Sequence, residues 1–258
     1  MQPAARTAIA SGILVSAILG TECGGPADRS SVESESECSS SDSSPPEQLR
    51  TRLEYAENFR VDYRDGVKYV EILRPWRDSR FSVRYTIVPC NRAVPPGADA
   101  DADAVFAVPL GRLVTTSSTQ LPQIEALGLT DRLIGHDRFD YVTSAPLRKR
   151  IDAGLMTAVG DGVRLNTEIL LDLRPDLVFV FSIGSPELDL LGGLRDAGIP
   201  FAIDAAWVES TPLARAEWIK YTATFFDRED DAERLFDEIA DRYEELVALA
   251  RGVEFGRG

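Results

Sequence analysis

The sequence predicts an α/β fold: a parallel β-sheet covered by helices, with a small antiparallel β extension before it and a long helix after it. Three patterns in the 258 residues support this prediction. Residues 59–88 alternate apolar and polar side chains, and residues 105–211 alternate short apolar runs with helical stretches. Residues 232–250 repeat apolar side chains at helical spacing.

The composition excludes several classes of protein. Hydrophobic residues make up 44% and charged residues 27%, which are values of a globular chain. The net charge of −14 argues against binding to nucleic acid and against electrostatic adhesion to an anionic membrane. One His and three scattered Cys form no zinc-binding pattern, and the sequence contains no nucleotide-binding or hydrolase motif. We therefore expect no metal site and no cofactor.

Residues 1–22 have the features of an export signal. Arg6 precedes an apolar run from Ala8 to Leu19, which is too short to cross a bilayer as a mature helix. Cys23 comes next, and an export signal that ends at a cysteine resembles a bacterial lipoprotein signal, in which that cysteine is lipidated. The alternatives are an ordinary cleaved signal and a misassigned start.

Residues 23–48 are predicted to be a disordered tether. Residues 30–44 contain nine Ser and four acidic residues, and such a segment buries too little apolar surface to offset its chain entropy. Behind a lipid anchor it would act as a tether, and without an anchor it is a disordered tail. If Cys23 carries lipid, Cys38 and Cys90 remain as a disulfide pair in an oxidising compartment.

Residues 49–104 are predicted to form a β-hairpin extension and a connector. Alternating runs at 59–63 and 70–72 flank the turn sequence Asp65-Gly66, which is a hairpin signal. Residues 81–87 alternate again and predict a third strand.

Residues 105–211 are predicted to form a β/α lobe. Strands are expected near 113–115, 133–134, 158–159, 177–181 and 201–203, and helices near 119–127, 145–153, 166–172 and 186–197. Strand–helix alternation indicates a parallel sheet, in which ligands bind beyond the carboxyl ends of the strands.

Residues 212–251 are predicted to be helical. Pro212 suits the first turn of a helix that reaches about residue 226. The apolar stripe from Ala232 to Ala250 then predicts an amphipathic helix of roughly twenty residues, about 30 Å long. The Gly-rich residues 252–258 are expected to be a disordered tail.

The most specific motif of the lobe is the run NTEILLDLRPDLVF at residues 166–179. Together with Val159-Gly160-Asp161-Gly162 and Gly198-Ile199-Pro200, it resembles the substrate-binding proteins of ABC importers that capture ferric siderophores, cobalamin or haem. The segment around Arg74-Pro75-Trp76 resembles an extension in one branch of that family.

The resemblance implies a Rossmann-like N-terminal lobe and a rigid bridging helix. It also implies a second lobe, for which no sequence follows the long helix, so we expect a truncated chain or a binding site completed by another chain.

The resemblance also implies an exported, non-catalytic protein that delivers a metal-chelate ligand to an ABC permease and its ATPase. Its membrane contact would be limited to the lipid anchor. Glu168 is expected to dock into arginine pockets of the permease, and the alternative is a glutamate favoured only by the helix dipole. The main alternative function is a stand-alone extracytoplasmic binding lobe that a partner chain completes. An enzyme would need His136, and a lone histidine is more often structural.

The candidate ligand-binding residues follow the predicted strands. They are Ser117, Ser118, Thr119, Arg138, Phe139, Tyr141, Ser182, Ser185 and Trp207. Hydroxyl and backbone N–H groups suit an oxygen-rich ligand, while a cation and aromatic rings suit a catecholate or a macrocycle. The alternatives are helix capping at residues 117–119, an ordinary surface loop at 138–141, and packing of Trp207 beneath the long helix.

Overall fold

The computed structural model of the protein describes residues 51–98, 100–162, 164–182, 184 and 190–252. The predicted export signal and tether, with Cys23 and Cys38, lie outside these residues, as does Ser185. The strands are β1 (Phe59–Arg64), β2 (Val67–Ile72), β3 (Val83–Pro89), β4 (Ala104–Val108), β5 (Leu113–Thr115), β6 (Leu133–His136), β7 (Thr157–Ala158), β8 (Leu177–Phe181) and β9 (Phe201–Asp204). The helices are α1 (Leu121–Ala126), α2 (Ala145–Asp152), α3 (Thr167–Leu173), α4 (Leu190–Asp196), α5 (Pro212–Ala216), α6 (Trp218–Thr224) and α7 (Glu229–Gly252).

The strands form two sheets. The first has four strands in the order β1-β2-β3-β4, and the second has five strands in the order β7-β6-β5-β8-β9. Every pairing in the second sheet is parallel, as predicted for the lobe. The strand order reverses at β5, which lies between β6 and β8, and ligands of open α/β sheets bind beside such a reversal.

The predicted hairpin is confirmed, with Arg64 opposite Val67 across the turn. Both turn residues have positive φ, 49° at Asp65 and 70° at Gly66, as a tight two-residue hairpin turn requires. The third strand starts at Val83 and therefore excludes Phe81.

The sequence did not predict β4. This strand pairs in parallel with β3, with Phe106 opposite Ile87. An Ala/Asp-rich run precedes β4, and only Phe106 and Val108 of its five residues are buried. The short segment therefore lacks a clear strand pattern in the sequence and is similar to the end of a connector.

The helix boundaries around the 166–179 motif follow the sequence closely. Asn166 is the N-cap of α3, and its side-chain oxygen accepts the Ile169 N–H at 3.1 Å. Arg174 ends the helix with a φ of 44°, immediately before Pro175. The chain then enters β8, whose first four residues are buried. The apolar run at 177–181 therefore forms a strand covered on both faces.

Most of the hydrophobic core lies between the first sheet, the second sheet and helices α6 and α7. The rings of Phe59 and Trp218 have centroids 4.8 Å apart, and the rings of Phe179 and Phe225 have centroids 5.4 Å apart. A smaller cluster that includes Val178, Leu170 and Ile199 covers the opposite face of the second sheet. The N-terminal extension therefore contributes to the same core as the lobe.

The long helix α7 has 24 residues, somewhat more than predicted. Ala232 and Phe236, in its first half, are buried. Farther along, Leu246 and Leu249 are 49% and 65% exposed. No helix in the described ranges is both long enough and apolar enough to cross a membrane.

Candidate ligand-binding site

The predicted site loops that the structure describes all follow the carboxyl ends of strands in the parallel sheet. Residues 117–119 follow β5, residues 138–141 follow β6, Ser182 follows β8 and Trp207 follows β9. Parallel strands end at one edge of the sheet, so these loops line the same edge on either side of the β5 reversal. The structure therefore brings them to the edge at which α/β sheets bind ligands.

The loop at residues 117–119 is a capping structure. Ser117 is the N-cap of a short 3-10 helix, and its Oγ accepts the Thr119 N–H at 3.3 Å. Gln120 is 2% exposed, and its Oε1 accepts the N–H groups of Thr116 and Ser117, each at 3.1 Å. These three N–H groups therefore already have acceptors within the protein. Ser118 and Thr119 are exposed, and the Thr119 hydroxyl lies 2.8 Å from Ser117 Oγ.

Asp204 lies buried at the end of β9. Burial raises the pKa of its carboxyl group, while the hydrogen bond from the Ala206 N–H and the nearby Gln120 side chain oppose that rise. The Asp204 Oδ1–Ala206 N distance is 3.0 Å. The Gln120 side chain, from the loop after β5, therefore lies near the end of β9, and its buried Nε2 forms no hydrogen bond with any described residue. Sequence reasoning missed both residues, because nothing local distinguishes a buried Gln from a surface one.

Arg138 is the cationic residue of the loop that follows β6. Its guanidinium carbon lies 4.6 Å from the ring centre of Tyr141, which is 65% exposed. Its Nε lies 3.5 Å from Asp140 Oδ2, and its Nη1 donates to the Asp161 carbonyl at 3.3 Å. Phe139 is half-buried and packs against the main core. Arg138 and Tyr141 are therefore accessible to a ligand, together with the exposed carboxylate of Asp140.

His136 is buried at the end of β6, 2% exposed. Its Nδ1 lies 2.8 Å from the Thr115 hydroxyl. Burial lowers the pKa of the imidazole, opposed by the charge of Asp137 and by a hydrogen bond with the Thr115 backbone. Burial therefore favours the neutral ring, and the side-chain contact with Thr115 joins β6 to β5.

Two aromatic residues, one at the end of β8 and one just after β9, lie together. The Trp207 ring is 5.8 Å from the Phe181 ring, and its buried Nε1 forms no hydrogen bond with any described residue. Ser182, between them in the chain, accepts the Gly184 N–H through its Oγ at 3.3 Å. Arg77 places its guanidinium carbon 5.7 Å from the Trp207 ring centre.

Sequence reasoning missed the contribution of the extension to this edge. Gly184 has a φ of 71°, and a Cβ at that position would lie 2.4 Å from Trp76 Cδ1. The Trp76 ring therefore lies directly on the backbone that follows β8. The unusual density of Arg and aromatic residues at 74–81 was the only sequence signal available.

Glu168 is exposed in the first turn of α3, one residue after the helix begins. The helix connects β7 to β8, so its N-terminus lies on the same side of the sheet as the candidate loops. Across the described part of the chain, no group of three or more His, Cys, Asp or Glu side chains is arranged to hold a metal ion.

Residues 113–253 match the family model described as periplasmic binding protein, which is more than half of the 258 residues. The chain belongs to this family. Periplasmic binding proteins of this family bind substrates and are not enzymes. The matched segment begins at β5 and contains the whole parallel sheet and α7, while the N-terminal extension lies outside it.

Two curated relatives are lipoproteins of Methanocaldococcus jannaschii. The uncharacterized lipoprotein MJ0878 is 25% identical over 207 residues, which are 73% of this chain and 49% of that protein. The uncharacterized lipoprotein MJ0872 is 23% identical over 177 residues, 66% of this chain and 44% of that protein. This periplasmic binding protein chain thus spans about half the length of the curated relatives it matches.

Similar solved structures include three binding proteins. The siderophore-binding protein BauB, solved with two acinetobactin molecules and ferric iron, is 20% identical with a TM-score of 0.45, covering 55% of this chain and 49% of BauB. The heme-binding protein RhuT of Roseiflexus sp. RS-1 is 23% identical with a TM-score of 0.42, covering 56% and 51%. The vitamin B12-binding protein BtuF of Vibrio cholerae is 18% identical with a TM-score of 0.39, covering 54% and 50%.

Proposed function

We propose that the chain is the extracytoplasmic substrate-binding component of an ABC importer. Its ligand is a metal chelate of the ferric siderophore, cobalamin or haem class, which it delivers to a permease coupled to an ATPase. One observation carries the proposal: in a periplasmic binding protein, loops bearing hydroxyl, cationic and aromatic side chains line the carboxyl edge of the parallel sheet.

The chemistry of these loops supports capture of such a chelate. Arg138 stacked on Tyr141 offers a cation beside an exposed ring, and Trp207 offers a second ring across the β5 reversal. A planar guanidinium binds ligand oxygens in a bidentate manner, and aromatic faces contact flat organic groups. The exposed hydroxyls of Ser118 and Thr119 can bond to the oxygens of the chelate.

Delivery is proposed to rest on Glu168. The residue is exposed, lies on the same side of the sheet as the binding loops and belongs to the motif that resembles the importer family. An exposed carboxylate of this kind contributes register and association rate more than affinity.

Export and a lipid anchor at Cys23 are also proposed. The apolar run that ends just before Cys23 and the two relatives named as lipoproteins support this localisation. Mass spectrometry of the protein from native membranes would show the added diacylglyceryl mass on Cys23, and an unmodified cysteine there would contradict the anchor.

The binding function is tested by titrating the chain with a ferric siderophore, cyanocobalamin and haemin. One of the three is expected to bind at least about tenfold more tightly than the others, a difference of about 1.4 kcal/mol. Tyr141→Ala and Trp207→Ala should weaken that binding, and Tyr243→Ala, on the exposed face of α7, should not. Binding of none of the three, or equal effects of all three substitutions, would contradict the function.

A second candidate is a binding lobe that a partner chain completes. The exposed apolar side chains of α7, including Leu246 and Leu249, favour it, because an uncovered apolar stripe marks a contact surface. In that case the titrations would show no binding by the isolated chain and saturable binding once the partner is added.

A further inference from the structure

The segment from residue 73 to residue 82 joins β2 to β3 and is here called the basic-aromatic loop. It contains Arg74, Trp76, Arg77, Arg80 and Phe81. It lies outside residues 113–253, the part of the chain that matches the periplasmic binding protein family. The inference below rests on the proposed binding function and assigns this loop a part in it.

Two contacts place the loop at the candidate site. The Trp76 ring covers the backbone at Gly184, just after β8, so closely that a Cβ on Gly184 would overlap it. Arg77 lies over the Trp207 ring, just after β9, at 5.7 Å from its centre. The loop therefore rests on the carboxyl edge of the parallel sheet at its β8–β9 end.

The loop adds rings to that edge. Trp76 and Phe81 make an edge-to-face contact with ring centroids 5.1 Å apart. Phe81 lies before the start of β3 and is 53% exposed. Trp207 and Phe181 form a second pair. An exposed phenylalanine in contact with a tryptophan is a surface that binds flat apolar groups.

The charge of the loop is opposite to that of the protein. The chain carries a net charge of −14, yet Arg74, Arg77 and Arg80 are exposed and form no salt bridge with any residue the structure describes. By contrast, Arg138 at the other end of the site is balanced by Asp140 at 3.5 Å. Guanidinium groups that form no salt bridge within the described ranges, and that lie among rings, favour an anion that also has an aromatic plane.

We propose that the basic-aromatic loop forms one wall of the ligand site and selects an anionic, aromatic chelate, with Arg77 and Trp207 as its central contact. An anionic lipid surface would also attract arginines and rings. The position of the loop on the carboxyl edge of the sheet favours the small ligand, because that edge is where such folds bind ligands.

The test uses two gallium(III) complexes, which are diamagnetic substitutes for ferric ones. Gallium tris-catecholate is a trianion with three rings, and gallium tris-acetohydroxamate is neutral and aliphatic. Binding is followed by the ¹H–¹⁵N signals of the three tryptophan indoles. Trp218 is the internal reference, because it is fully buried and its Nε1 donates to Glu209 at 3.1 Å.

The catecholate complex is expected to shift the Trp76 and Trp207 signals and to bind at least about tenfold more tightly than the hydroxamate complex. Arg77→Gln should weaken catecholate binding about tenfold, and Arg77→Lys should restore it in part, since lysine keeps the charge and loses the planar fork. Arg60→Gln is the matched control, because Arg60 is exposed on β1 and forms no salt bridge in the described ranges. Unchanged thermal unfolding would show that the variants remain folded.

Three outcomes would overturn the inference. Equal binding of the two complexes would show that the loop does not select charge and rings, and equal effects of Arg77→Gln and Arg60→Gln would show that Arg77 has no special role. Arg77-dependent binding to vesicles of phosphatidylglycerol and phosphatidylcholine, without binding of either complex, would make the loop a membrane contact. In the first two outcomes the three-ligand titration can still succeed, so failure of this inference is separable from failure of the binding function.

Discussion

The carboxylate of Glu217 accepts the backbone N–H of Ala56 at 2.7 Å and so joins two segments 161 residues apart. It also accepts the N–H groups of Tyr55 at 2.8 Å and Glu54 at 2.9 Å, and it pairs with Lys220 at 3.1 Å. Glu217 is completely buried. One side chain at the start of α6 therefore holds the segment that precedes β1.

Replacing Glu217 by alanine should lower the free energy of unfolding by about 3–5 kcal/mol, because three backbone N–H groups lose their acceptor. The buried Lys220 also loses one of its two carboxylate partners and keeps the other, Glu233, at 2.7 Å. Urea denaturation followed by circular dichroism measures this loss. The matched control is Glu238→Ala, which removes an exposed partner of Arg234 and should cost at most about 0.5 kcal/mol. Similar losses in the two variants would contradict the anchoring role of Glu217.

The buried Asp204 predicts a pH-dependent stability. Burial raises the pKa of its carboxyl group above its usual value, so the folded protein binds more protons at this site than the unfolded chain. The protonated carboxyl contributes its full stability at a pH below the pKa of Asp204 in the unfolded chain. This contribution is lost as the pH rises through the pKa of Asp204 in the folded protein. The ionised carboxylate therefore destabilises the fold near neutral pH.

Asp204→Asn should remove the loss of stability that ionisation of the buried carboxyl causes, because the amide stays neutral at every pH. Its oxygen can still accept the Ala206 N–H. Its melting temperature should exceed that of the wild type by several degrees at about pH 7, and the gap should narrow toward about pH 3. Thermal unfolding across this range measures the difference. Asp172→Asn, on the exposed side of α3, is the control, and a constant gap at every pH would contradict the prediction.

Local patterns were sufficient for elements whose determinants are close in sequence. The Asp65-Gly66 turn and the Asn166 cap each depend on residues within a few positions, and both are in the structure as predicted. The edge strand β4 was missed, because its short run is buried on one side only. Its pairing with β3 is a contact between strands that no local pattern expresses.

The sequence predicts only those parts of the candidate site that lie in loops directly after the strands. The carboxyl ends of β5, β6, β8 and β9 located the loops, but the contacts of Trp76 with Gly184 and of Arg77 with Trp207 depend on how the two sheets pack together. Gln120 and Asp204 were missed for the same reason. Packing between distant segments, rather than residue type, decides which side chains reach this edge.

Reversal of the charge at Glu168 should abolish uptake while leaving ligand binding unchanged. The residue is exposed on α3 and belongs to none of the proposed binding loops, so we expect Glu168→Arg to alter the proposed permease contact and to leave the ligand contacts in place. Radiolabelled ligand uptake in cells that depend on this protein measures transport, and titration measures binding. Asp172→Arg makes the same charge change at the other end of α3 and should transport normally. Uptake by the Glu168 variant at the wild-type rate would refute docking at this residue.

The two halves of α7 should respond differently to truncation of apolar side chains. Phe236 is 1% exposed, its ring lies 5.8 Å from that of Tyr55, and the Lys220 Nζ lies 4.5 Å from its centre. Phe236→Ala should therefore cost about 3–5 kcal/mol of unfolding free energy. Leu249 is 65% exposed, so Leu249→Ala should change stability by at most about 0.5 kcal/mol.

Urea denaturation of both α7 variants, at two protein concentrations, checks this contrast. A large loss for Leu249→Ala would mean that the second half of α7 is covered in solution, and a loss that grows with protein concentration would identify a second copy of the chain as the cover. A small loss means that the apolar stripe around Leu246 and Leu249 remains available to a partner, as a binding lobe completed by another chain requires. The same measurement therefore tests the packing of the helix and bears on the choice between the two functions.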